Sequence, residues 1–214
     1  MKTPVEQSTA VIAALEELMA LDADIIATGQ LVFHDRVLLP DLFVAAVLNR
    51  SLQLLHGFAD LVRARNYLSS TPLFRLQLDN VIRLWAGTLV PSFDDFVTDV
   101  LHGRRIDQMP TTNGQQMTDS YLVTSLANHF NLPKLVDTYK YASGFVHLSG
   151  QHIFATNRVD EDRIAGDISR LDLTTPEPKW LDLISGFSDA TNMGPSGIFM
   201  GRAVNHRSRS RSRP

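Results

Sequence analysis

Apolar residues recur along this chain at steps of three and four, the period of a helix with one buried face. Over 5–28 they are Val5, Ile12, Leu15, Leu18, Met19, Ile25 and Ile26, lying between Thr3-Pro4 and Gly29. Pro40 suits a first helical turn, and the same period continues over 41–66. Ser69-Ser70-Thr71-Pro72 reads as a turn that caps and opens a helix over 71–89. Pro91-Ser92, followed by Asp94 and Asp95, starts a shorter helix that ends near Gly103. The stretch 104–117, with Pro110, Asn113 and Gly114, reads as a loop. Thr118 caps a helix to about Asn131, and Pro133 opens another that reaches His152 or beyond. Residues 157–176 are mixed and charged, with room for a short extended excursion, and a last helix covers 178–192 before Gly194-Pro195-Ser196-Gly197. The pattern predicts an all-α protein. It is a single bundle of six to seven helices over 1–200, with a disordered Arg/Ser-rich tail over 201–214.

Composition supports a core and removes several chemistries. The 214 residues are 44% hydrophobic and 20% charged, enough to bury a core without staples. Cysteine is absent, which excludes a disulfide framework, a thiolate metal site and a cysteine nucleophile. No uninterrupted apolar run approaches the length of a membrane span, and the N-terminus lacks a secretory apolar stretch. The expectation is therefore a cytoplasmic chain with no membrane contact. Net charge is –3, but four arginines and no acid lie in 207–214. Taking those four from 20 basic residues leaves 16 against 23 acidic ones, a body at –7. A body that acidic is not a general nucleic-acid coating, and the tail reads as a solvated arm.

Two helices carry polar groups on apolar faces. In the second, Phe43, Val47, Arg50, Leu54, Phe58 and Leu61 share a stripe, which sets Arg50 in a core-facing row. A guanidinium there needs a partner, and the next helix offers Arg75, Asp79 and Arg83 at i, i+4 and i+8. These are either a docking network between helices or an anion site whose arginines Asp79 holds in place. In the helix after Pro133, Tyr139, Ser143, His147 and Gln151 recur every four residues, and Lys140 joins the same side. That row is either a hydrogen-bonded core network or the wall of a site.

Sharper chemistries are missing. There is no G-x-S-x-G elbow, no H-E-x-x-H, no Walker loop and no G-x-G-x-x-G. His147 and His152 are five apart, about 140° around a helix, and do not form a metal-binding pair. Neither a metal nor a cofactor is expected.

Three blocks carry a resemblance: Asn49 to Phe58 (NRSLQLLHGF), Arg75 to Asn80 (RLQLDN) and Tyr139 to Ser149 (YKYASGFVHLS). Over roughly 41–152 the chain resembles a family of uncharacterised bacterial helical proteins similar to the HEPN superfamily. The resemblance implies a compact helical bundle, a homodimer, and metal-independent endoribonuclease activity of a toxin or phage-defence system. The family signature is an Arg followed four to six residues later by a His, and Arg50-x5-His56 matches it. On a continuous helix those two side chains point about 120° apart. The late helix, where the family's motif sits, has Lys140 and His147 instead. Under the nuclease reading, His147 is general acid or base toward a 2′-hydroxyl, and Arg50, Arg75 and Arg83 stabilise charge on phosphorus. Tyr139, Ser143 and Lys140 then position the phosphate of an RNA or nucleotide, and Asp79 orients arginine. The alternative is a non-catalytic dimerisation or regulatory binding module, in which the same residues form a core network.

Overall fold

A computed structural model describes residues 7–33, 37–160, 163–166 and 168–194. The tail over 201–214 lies outside the described residues. The protein is an all-α bundle. Its helices are α1 (Thr9–Met19), α2 (Leu21–Val32), α3 (Leu39–Arg63), α4 (Tyr67–Thr88), α5 (Phe93–Leu101), α6 (Asp119–Phe130), α7 (Leu135–Val146), α8 (Gly150–Thr156) and α9 (Glu177–Asn192). One short antiparallel hairpin, β1 (Asn157–Asp160) with β2 (Arg163–Gly166), fills the extended excursion.

The described residues hold nine α-helices rather than seven because two predicted helices each divide. At Ala20 the backbone stays right-handed, so α1 and α2 are nearly continuous. The second division changes direction. His147 is extended at φ –109° and ψ 145°, which ends α7 three residues before α8 begins. Ser149 Oγ donates to the Gly144 carbonyl at 2.7 Å, taking an acceptor in the last turn of α7. A Cβ at Gly144 would meet the flexible end of the exposed Gln151 side chain, which lies over that position.

The start of α4 also differs from the expected turn. Asn66 caps it, accepting from the Ser69 amide at 3.0 Å, and Pro72 lies inside the helix. The Ser70 and Thr71 hydroxyls donate back to the Tyr67 carbonyl at 3.0 and 2.9 Å, so both are absorbed into helix instead of breaking it. At three other helix ends the caps fall where the residue types place them. Ser92 accepts from Asp95 N, Thr118 accepts from Tyr121 N, and Asn131 closes α6 in the left-handed region at φ 53°.

Helix α4 is the axis of the molecule. Fourteen of its 22 residues are buried, and it packs against α3, α5, α6, α7 and α9. A helix buried nearly all round has no solvent face on which to hide polar side chains. Where α3, α4 and α9 meet, the core is aromatic. Phe58 stacks on Phe187 with centroids 4.2 Å apart, and Phe74 leans against the same ring. Gly186 makes room for Phe74, because a Cβ there would stand 2.9 Å from its ring edge. By length and composition α3 is able to cross a bilayer, but here its apolar face packs on α2, α4 and α5.

Candidate functional site

The stripe on α3 that was expected to face the core is rotated. Beyond its first turn the buried positions are Val44, Val47, Leu48, Ser51, Leu55, Phe58, Ala59 and Val62, and Arg50 is exposed beside that face. Its Nη1 reaches over to donate to Asn80 Oδ1 at 2.7 Å and does not pair with Asp79. His56 pairs with Asp22 of α2 at 2.8 Å. Arg50 and His56 are therefore engaged by different neighbouring helices, as their angular separation on α3 requires.

Beneath Arg50 lies a buried polar chain that sequence reading did not single out. Asn80 Nδ2 donates to Ser51 Oγ and to Gln77 Oε1, both at 3.0 Å. Gln77 Nε2 donates to Thr191 Oγ1 at 3.2 Å, and Thr191 Oγ1 donates to the Phe187 carbonyl at 2.8 Å. This chain ties α3, α4 and α9 together through satisfied amides and hydroxyls, which fixes their register.

The principal cluster lies where α4, α7 and the start of α6 converge. The i, i+4, i+8 spacing on α4 does put Arg75, Asp79 and Arg83 on one ridge, and Tyr139 and Ser143 meet them from α7. Arg75 Nη1 stands 2.5 Å from Asp79 Oδ1, and Arg75 Nε donates to Ser143 Oγ at 2.7 Å. The Arg75 guanidinium lies over the Tyr139 ring, 3.6 Å from its centroid, with Nη2 against the phenol oxygen. Arg83 finds its partner outside α4, where Nη2 donates to Asp119 Oδ1 at 2.5 Å. The Tyr139 hydroxyl faces Asp119 Oδ2 at 3.1 Å and Asp79 Oδ1 at 3.3 Å, sharing one proton between two carboxylates. Asp119 was absent from the expected site. Its only signal in sequence is an acid in the first turn after a Thr cap, which nothing in the chain links to Arg83.

Two expected members lie elsewhere. Lys140 points to solvent on the outer face of α7. His147 is exposed on chain that has already left the helix, so it does not continue the row of Tyr139 and Ser143. Gln151 likewise belongs to α8 and turns toward Gly144. Among the described residues no three His, Asp or Glu side chains come together to hold a metal ion.

Electrostatically the cluster is neutral, with two guanidiniums against two carboxylates. Its phenol is held protonated. Burial, then the negative charges of Asp79 and Asp119, push the Tyr139 pKa upward against the opposing pull of Arg75. Tyr67, buried beside Tyr141 with hydroxyls 3.1 Å apart, is raised too, chiefly by desolvation. An unfolded chain releases these protons near pH ~10 while the folded chain keeps them. Above that pH the unfolded state binds fewer protons, so stability falls by up to about 1.4 kcal/mol per pH unit for each tyrosine. Urea unfolding between about pH 9 and 11 should show a shallower decline in Tyr139→Phe than in the intact chain. Identical slopes would contradict the burial of that phenol.

No family model, no curated protein and no solved structure matches this chain.

Proposed function

We propose that this chain is a non-catalytic helical binding module, and that the Arg75–Asp79–Tyr139–Asp119–Arg83 cluster docks α4, α6 and α7. The observation that carries this reading is charge compensation. Each guanidinium in the cluster already has a carboxylate at 2.5 Å, so both positive charges are compensated within the chain and neither stands ready for a transition state. Proton transfer also lacks an agent. The cluster contains no imidazole, and a phenol with a raised pKa donates a hydrogen bond at neutral pH without acting as a base. This reading is compatible with the non-catalytic members of the superfamily that the chain resembles. It turns the polar rows of α4 and α7 into the means by which a binding surface is held rigid.

Cleavage of RNA is the discriminating measurement. Total RNA incubated in EDTA with the intact chain, or with His147→Ala, should remain uncut in both. New products formed by the intact chain and lost in His147→Ala would overturn the module reading in favour of a ribonuclease.

A further inference from the structure

Asp119 differs from the other charged members of the cluster. Arg75, Asp79 and Arg83 all project from α4 with side chains 11%, 19% and 25% exposed, whereas Asp119 arrives from α6 and is 40% exposed. Its carboxylate gathers donors from two other helices. Arg83 Nη2 meets Oδ1 at 2.5 Å, while the Tyr139 hydroxyl and Arg75 Nη2 face Oδ2 at 3.1 and 3.6 Å. Without it, Arg75, Arg83 and Asp79 would leave one net positive charge beside a phenol O–H. There is also a donor that Asp119 does not use. Arg83 Nη1 is buried and has no hydrogen-bond partner among the described residues. A buried guanidinium N–H without an acceptor is costly, and the Asp107 carboxylate, near enough to feel the Arg83 charge, does not hydrogen-bond Nη1.

We infer that Arg75, Arg83 and Tyr139 form a seat for a phosphoryl group, and that the Asp119 carboxylate is its built-in occupant. A phosphate matches the seat better than a carboxylate does. It carries more charge and a third acceptor oxygen, which suits the unused Nη1 of Arg83. Vacating the seat asks only for a side-chain rotation. Thr118 caps α6 independently of Asp119, and the buried Met109, Thr111 and Met117 keep the preceding loop anchored. This inference rests on the binding-module reading and supplies its ligand chemistry. The two fail separately, since one is read in RNA products and the other in melting temperature.

Thermal unfolding of the full chain tests it, with inorganic phosphate compared against sodium chloride at matched ionic strength. Asp119→Ala should melt below the intact chain in chloride, and phosphate at a few times its Kd should raise that variant by about 2–4 °C. The intact chain should respond less, because its own carboxylate competes. Asp119→Asn keeps the side-chain shape while losing the charge, and should respond as Asp119→Ala does even if the alanine variant folds poorly. Adding Arg83→Gln to either variant should abolish the response. A larger rise with adenosine monophosphate than with inorganic phosphate would support a nucleotide source, and an equal rise a free phosphate. Equal responses from the intact chain and both Asp119 variants, or an undiminished response after Arg83→Gln, would overturn the inference.

Discussion

Asp79→Ala should lower the unfolding free energy by about 3 kcal/mol, the lower end of the range for breaking a buried ion pair from one side. The cost comes from what is left behind. Among the described residues only Asp41 and Arg75 are buried and charged, and a guanidinium left in a desolvated site without its carboxylate is costly. Asp79 stands 2.5 Å from that guanidinium and also faces the Tyr139 hydroxyl at 3.3 Å. Its removal therefore strips a counter-charge and an acceptor together. The loss stays near the bottom of the range because Asp119 Oδ2 is only 3.6 Å from Arg75 Nη2 and takes up part of the charge. For a chain of this length the melting temperature should fall by about 6–12 °C. Urea titration checks it, and a loss below about 1 kcal/mol would mean that the pair behaves as a solvated surface contact.

Phe187→Ala should cost about 4 kcal/mol, within the range for deleting a buried aromatic ring. Phe187 is fully buried on α9, stacked on Phe58 of α3 and leaning against Phe74 of α4. Taking away the ring opens a cavity where three helices meet, and removes a stacked pair whose value exceeds its buried area. The cavity cannot collapse easily. The Thr191–Gln77–Asn80–Ser51 hydrogen bonds hold α9, α4 and α3 at fixed spacing one turn further along. A fall in melting temperature of about 8–16 °C is expected by thermal denaturation. A change of only a degree or two would show that α9 is not seated on this core.

The helical class and most helix ends were legible in the sequence because they depend on local chemistry. Ser92, Thr118 and Asn131 act as caps whatever packs above them. The start of α4 ahead of Pro72 is not legible for the opposite reason. Its neighbours Ser70 and Thr71 resemble turn residues in sequence, but burial in α4 directs their hydroxyls back to the Tyr67 carbonyl. Arg50 lies one step away from the core face that its periodicity suggests, since a rotation of one residue moves a side chain by about 100° and periodicity alone does not fix the centre of a face. On α4 and α7 the spacing brought Arg75, Asp79, Arg83, Tyr139 and Ser143 together. It could not find Asp119, which reaches Arg83 across 36 residues of sequence and depends on how α6 docks. His147 shares the four-residue spacing of that row but lies one residue past the end of the helix that carries it.

The central claim is that this cluster is a charge-compensated clasp between helices. A double-mutant cycle over Arg75→Met and Asp79→Leu measures it most directly. Each single replacement strands one buried charge, whereas the pair removes both and leaves apolar side chains of similar length. The account predicts a double variant clearly more stable than the sum of the single losses implies, with a coupling of about 1.5–3 kcal/mol. Strict additivity of the two losses would contradict it.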